Sequence, residues 1–247
     1  MSFPVFLSVG GRRLHPHIVF EVLAYFVGLC CYLWLRRRRG DHLTAHARWS
    51  VLVAAIVGGA IGSRALYWLE DPDATFRHWN DAVFLMSGKT VVGGLVGGLI
   101  AVEWVKAHLG IMRATGDLLA VPLAIGIAVG RVGCFLTGLE DRTYGVATTL
   151  PWGVDFGDGI ARHPTALYES AFLVVLTVVL AWLMRRPLVE GLLFKIFILT
   201  YMGFRLVIDV LKPDLRIVVG LSAIQCVCLL TFAYYARISW EERYLNV

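Results

Sequence analysis

A charged side chain at membrane depth needs a partner, and this chain carries several such charges. Gly130-Arg131-Val132-Gly133-Cys134-Phe135-Leu136 puts an arginine at the end of a long apolar segment. Arg162-His163-Pro164-Thr165-Ala166-Leu167-Tyr168-Glu169 stands just before another. A guanidinium at that depth costs roughly 2.5–3.5 kcal/mol on insertion scales, so it calls for a carboxylate or an anionic ligand. Glu21, Arg64, Lys195, Arg205 and Asp209 also fall within apolar segments. Arg205 and Asp209 are four residues apart and share a helical face, so they can neutralise each other. Lys195 lies near the end of its segment and can snorkel. Arg131 has no carboxylate at helical spacing on its own segment. Its partner must come from elsewhere in the fold or from a substrate. Guanidinium forks hold phosphate bidentately, and the set points to chemistry on a phosphate-bearing lipid.

Proton-transfer candidates stand close by. His163 precedes a proline at the mouth of a span and is of the residue type most often used as a general base; capping the helix start is its alternative role. Glu169, one turn inside the same span, is either a base or the ion partner of an arginine. Cys134 is either a nucleophile or a small packing residue, the latter being the simpler reading. Cys30, Cys31, Cys226 and Cys228 lie in apolar segments without metal-ligand spacing to histidine and read as small hydrophobes. In the loop after Cys134, Asp155-Phe156-Gly157-Asp158-Gly159 lacks the oxygen-ligand run of a calcium loop. Its Asp-Phe-Gly stands without the other kinase motifs. A loop this long is more often functional than filler.

The elements that must position these residues are membrane helices. Hydrophobic residues make up 58% and charged residues 17% of the chain, and mean hydropathy is +0.70, too apolar for a water-soluble domain. The fold class is therefore an all-α polytopic transmembrane helix bundle forming a single membrane-embedded domain over residues 1–247. Spans of roughly 17–25 residues fall near Ile18–Leu35, Trp49–Leu69, Val91–Leu109, Asp117–Leu136, Thr165–Met184, Leu192–Leu211 and Ile217–Ala236, about seven in all. The polar connections run over 137–164 and 70–90. Arg12, Arg13, His15 and His17 interrupt the amino-terminal stretch, so no cleavable signal is expected and the mature chain should begin near Met1.

Arg36–Arg39, Lys106, Arg113, Arg185, Arg186, Arg237 and Arg243 fall on one side. That places the amino terminus out, the carboxyl terminus in, and the 137–164 loop outside. The net charge of +5 belongs to these flanks, which attract anionic headgroups. No nucleic-acid partner is implied, because the four arginines adjoin an apolar span. Gly58, Gly59, Gly62, Gly93, Gly94, Gly97, Gly98, Gly126, Gly130 and Gly133 give small-residue faces for close helix approach; some of them could instead open backbone to a headgroup.

Taken together, the motifs resemble a known family. Gly130-Arg131-Val132-Gly133-Cys134-Phe135, followed by Gly138 and Tyr144-Gly145, resembles the signature of prolipoprotein diacylglyceryl transferases. Arg162 to Glu169 resembles that family's second block, and Tyr201-Met202-Gly203-Phe204-Arg205 its third. Gly93-Gly94-Leu95-Val96-Gly97 and Ile61-Gly62-Ser63-Arg64 also fit. The resemblance implies a multi-pass enzyme of the bacterial cytoplasmic membrane. Its substrates would be phosphatidylglycerol and the lipobox cysteine of a prolipoprotein signal peptide. A thioether forms, glycerol phosphate leaves, and no metal or redox cofactor is implied.

By that carry-over Arg131 and Arg205 grip the headgroup phosphate, with His163 and Glu169 completing the catalytic set. Arg64 supports them, and Glu140 orients an arginine or the glycerol. Gly93, Gly94, Gly133, Cys134 and Tyr168 line the substrate. Two departures stand out. Val92 replaces a family histidine proposed as important for activity, and Cys134 replaces a family asparagine. The stretch between Gly138 and Gly145 is also longer than the family's. Alternative readings are a divergent paralogue with another acceptor and a lipid-binding or lipid-moving protein without chemistry.

Overall fold

Pro16 and Gly40 bracket the first long helix for simple backbone reasons. Proline at the first helical position gives up an amide that would have no partner, and Gly40 at φ 78° turns the chain while its N–H returns to Arg36 O. In the computed structural model, which describes residues 3–217 and 219–245, the elements run as follows. A hairpin of β1 (Leu7–Val9) and β2 (Arg12–Leu14) comes first. Helices α1 (Pro16–Arg39), α2 (Ala45–Glu70), α3 (Pro72–Arg77), α4 (Ala82–Ser87), α5 (Val91–His108) and α6 (Asp117–Thr137) follow. A 3-10 turn over Gly138–Asp141 leads to the pair β3 (Val154–Asp155) and β4 (Ala161–Arg162). Then come α7 (Thr165–Leu183), α8 (Leu192–Ile208), a second 3-10 turn over Asp209–Leu211, and α9 (Ala223–Leu245). Met1 and the Arg243 side chain, both used in the sequence reading, lie outside what is described.

Helices thus occupy all seven expected segments. Five of them, α1, α2, α5, α6 and α7, are long and apolar enough to cross a membrane. The apolar part of α9, Ala223–Ile238, is shorter. Two expectations need correction. The last helix starts at Ala223 rather than Ile217, because Ser222 and Gln225 form a capping box: Ser222 Oγ accepts from Gln225 N, and Gln225 Oε1 accepts from Ser222 N, each at 3.1 Å. The penultimate helix ends at Ile208, and its last turn tightens to 3-10 geometry. The 70–90 connection carries two short helices, each started by an aspartate: Asp71 accepts from Ala74 N and Asp81 from Val83 N.

The helices group into two compact units. In the first, α6 packs against α1 on one side and α7 on the other. Gly133 permits the first contact, since a Cβ there would stand 2.5 Å from Phe20 Cβ. Asp117 ties the start of α8 to α6 by accepting from Gly191 N at 2.7 Å and Phe194 N at 2.9 Å. In the second unit α2 and α5 meet along their glycines, and α9 packs on both. A Cβ on Gly62 would stand 2.4 Å from Gly93 O, and one on Gly97 2.4 Å from Gly58 O. Side chains there would hold the backbones apart.

Candidate functional site

Arg131 lies near the end of α6, facing α7. Its Nε is 2.9 Å from Glu169 Oε1, and the two side chains are almost fully enclosed. Glu169 reaches this point because α7 begins just after Pro164, which places residue 169 little more than one turn in. Ser170 locks the level by donating from Oγ to Ala128 O at 2.9 Å. The arginine's missing carboxylate thus comes from a neighbouring helix. Ion-pairing an enclosed guanidinium keeps it charged and oriented.

Arg131 Nη1 also points at Cys134 Sγ, 3.8 Å away and one helical turn on. The Cys134 sulfur thus faces a charged group. His17, at the start of α1, and Asp141, at the end of the 3-10 turn, complete this side. Their Nδ1 and Oδ1 are 2.8 Å apart, and the donor atoms of His17, Cys134 and Asp141 all lie within 4.8 Å of one another. Gly138 makes this possible: at φ 75° it stops α6 and starts the turn that brings Asp141 back. Glu140, expected to orient an arginine or the glycerol, stands at the rim of this group. Its carboxylate is largely exposed and lies 3.3 Å from His15 Nε2; the inward carboxylate is the next one, Asp141.

The long loop folds onto the start of α7 by backbone bonding. His163 donates from N to Val146 O at 3.1 Å and accepts from Gly145 N at 2.8 Å. Its ring Nδ1 is 3.3 Å from the Tyr168 hydroxyl, which accepts from Trp152 Nε1 at 2.8 Å. Arg162 forks onto Asp158 with contacts of 2.6 and 2.7 Å and lies over the Tyr144 ring. That fork holds the Asp158 carboxyl below the usual carboxylate range. Asp155 Oδ1 accepts from the backbone of residues 157, 158 and 159, so this carboxylate folds its own loop.

The remaining candidates belong to the second unit. Arg205 Nη2 is 3.2 Å from Asp209 Oδ1, and both are buried. Ser222 Oγ donates to the other oxygen of Asp209. Arg216 donates to Asp209 O at 3.1 Å and to Gln225 Oε1 at 2.8 Å. Arg64 bonds Ala60 O from Nη1 at 3.3 Å. Gly93 and Gly94 face α2: Thr90 Oγ1 accepts from Gly93 N at 3.1 Å, and a Cβ on Gly93 would meet Gly62 O at 2.3 Å. The faces of these glycines where a Cβ would stand, like that of Gly133, are turned to neighbouring helices. Val92 is buried, with 1% of its surface exposed.

Sequence reasoning passed over His17, Asp141, Arg216, Ser222 and Gln225. His17 and Glu21 stand at i, i+4 spacing where a span begins, and Ser222-Ala223-Ile224-Gln225 reads as a capping box; both signals were there to find. Asp141 had none, because only the turn at Gly138 aims it inward.

The family model for prolipoprotein diacylglyceryl transferase matches residues 4–240. Among similar proteins, one from Vibrio vulnificus (strain CMCP6) is 29% identical, over 87% of this chain and 80% of its own length. One from Actinobacillus pleuropneumoniae serotype 3 is 31% identical over 85% and 80%. One from Chromohalobacter salexigens is 32% identical over 85% and 80%. Each is named phosphatidylglycerol–prolipoprotein diacylglyceryl transferase.

Proposed function

Because the chain belongs to the prolipoprotein diacylglyceryl transferase family, we propose that it moves the diacylglyceryl group of phosphatidylglycerol onto a prolipoprotein cysteine thiol. It is a multi-pass protein of the bacterial cytoplasmic membrane, so the donor lipid reaches it laterally. The acceptor comes as the lipobox of a signal peptide lying in the same bilayer. The observation that carries the reading is Arg131, enclosed, paired with Glu169 and set in the family's own motif.

The reaction makes a carbon–sulfur bond at the glyceryl carbon and breaks the carbon–oxygen bond to phosphate. Negative charge collects on the departing glycerol phosphate. A guanidinium held in place by a buried carboxylate meets that charge without reorganising, which is where electrostatic catalysis gains most. Arg131 is the phosphate ligand in this account. Arg205, held by Asp209, is carried over as the family's second functional arginine and Arg64 as a supporting one. Tyr168 and His163, joined to Trp152, shape the outer mouth.

Purified protein, phosphatidylglycerol and a lipobox peptide should yield a diacylglyceryl thioether by mass spectrometry. Arg131→Ala should abolish it. An unchanged yield in that variant would sink the site assignment. Two residues favour a second reading, a phosphatidylglycerol-dependent transferase with a different thiol acceptor. Val92 can neither take a proton nor donate a hydrogen bond where the family has histidine, and Cys134 stands where the family has asparagine. Offering small thiols beside the lipobox peptide separates the two readings.

A further inference from the structure

The reaction needs a thiolate, and a valine stands where the family keeps its histidine. The structure meanwhile gathers a sulfur, an imidazole nitrogen and a carboxylate oxygen beside Arg131. We propose that His17, Cys134 and Asp141 form a zinc-type metal site that binds and activates the acceptor thiol. For its acceptor step this inference rests on the transferase reading; for metal binding it does not.

The donor set suits such an ion. A soft thiolate, a borderline imidazole and a hard carboxylate are together a donor set that zinc accepts, and the thiolate and imidazole disfavour magnesium and calcium. They come from three separate segments: the start of α1, the end of α6 and the 3-10 turn. Their donor atoms lie within 4.8 Å of one another. A tetrahedral zinc with bonds of about 2.0–2.3 Å spaces its ligands by roughly 3.3–3.8 Å. The 2.8 Å approach of His17 Nδ1 to Asp141 Oδ1 is what a shared proton gives in place of the ion.

A second observation concerns the outer face of the imidazole. His17 Nε2 lies 3.6 Å from Glu21 Oε2, and Tyr25 steadies that carboxylate by donating to Glu21 Oε1 at 2.8 Å. A carboxylate behind the far nitrogen of a ligating histidine fixes the ring and raises its basicity. Glu169 offsets the nearby positive charge of Arg131.

The chemistry follows from three protein ligands. They leave the fourth position of a tetrahedral ion to an outside group, as in catalytic sites. A cysteine thiol bound there loses its proton to water, and the sulfur remains a nucleophile. Its lone pair attacks the glyceryl carbon of phosphatidylglycerol. The carbon–sulfur bond forms, the carbon–oxygen bond breaks, and the electron pair leaves on the phosphate oxygen of glycerol phosphate. Thiol and lipid are thus consumed, and thioether, glycerol phosphate and a proton are produced. Arg131 links the halves, since it reaches toward Cys134 on one side and is the proposed phosphate ligand.

The test uses the full chain in detergent, stripped with a chelator and titrated with cobalt(II) alone. A Cys30→Ser/Cys31→Ser/Cys226→Ser/Cys228→Ser background removes the other sulfurs. One cobalt per chain should bind with a sulfur-to-cobalt charge-transfer band and the visible bands of four-coordination. Cys134→Ser should lose the charge-transfer band while keeping its thermal unfolding temperature. His17→Ala and Asp141→Asn should each weaken binding by at least about tenfold, with Glu21→Gln falling between them and the parent. Absence of the band, or its survival in Cys134→Ser, overturns the metal site and leaves a hydrogen-bonded set. Adding lipobox peptide should strengthen the band by a second sulfur contribution, whereas its serine analogue should not. No response to the thiol overturns the activation role. If the thiol binds and zinc-loaded protein still makes no adduct from phosphatidylglycerol, the transferase reading has failed and the metal site stands.

Discussion

Arg131 shows what a single residue in a membrane protein asks of its surroundings. Its charge could not be met along its own helix, and the carboxylate that meets it arrives from α7. Removing that carboxylate leaves a buried charge uncompensated, at a cost of about 3–5 kcal/mol. Glu169→Gln should therefore lower the thermal unfolding temperature in detergent, and Glu169→Gln combined with Arg131→Leu should restore part of the loss. Arg131→Lys keeps the charge but loses the fork. We expect it to fold normally and to lose at least about tenfold in the transfer rate, in keeping with the difference between a planar fork and a point charge. Single-turnover measurements with saturating lipid check this.

At the scale of elements, small residues decide where helices meet. Gly62 and Gly97 face each other's backbones, so Gly62→Val should separate α2 from α5 and cost on the order of 1–3 kcal/mol. Gly94→Ala, whose Cβ would stand at an ordinary 3.6 Å from Gly59 O, should be tolerated. Unfolding temperatures of the two variants test the contrast. The start of α9 is set by its cap, and Ser222→Ala should cost about 1 kcal/mol for that bond and also free Asp209 from its hydroxyl partner. In the outer loop, Arg162 lowers the Asp158 carboxyl. A group depressed in this way contributes order above its unfolded value and loses it as pH falls through the lower, folded one. Loop protection against hydrogen exchange should thus hold at neutral pH and fall below about pH 4, the ordinary carboxylate value. Asp158→Asn should remove this acid dependence.

For the whole molecule the bilayer is the solvent, and orientation is the property that function depends on. The basic flanks predict that the 137–164 loop faces out and Arg36–Arg39 face in. In a background with all five cysteines, Cys134 included, replaced by serine, Asp155→Cys should react with a membrane-impermeant thiol reagent in intact spheroplasts, and Arg38→Cys should react only after lysis. The reverse pattern would put the loop on the cytoplasmic side and invert the proposed access of signal peptides.

How much of this was legible beforehand follows from the range of the forces. Hydropathy over a span is local, so composition alone places a helix in each of the seven segments, and the motif spacing alone points to the family. The Arg205–Asp209 pair is legible for the same reason, because four residues on a helix are neighbours. Glycine spacing announces close packing, though not which helix will be met. What no local pattern could supply is convergence between segments distant in the chain. Glu169 pairs with Arg131 across a long loop. His17 meets Asp141 and Cys134 only because the α1–α6 contact at Gly133 and the turn at Gly138 bring three segments to one point. A polar residue in a helix declares that it needs a partner; the packing of helices decides which partner it gets.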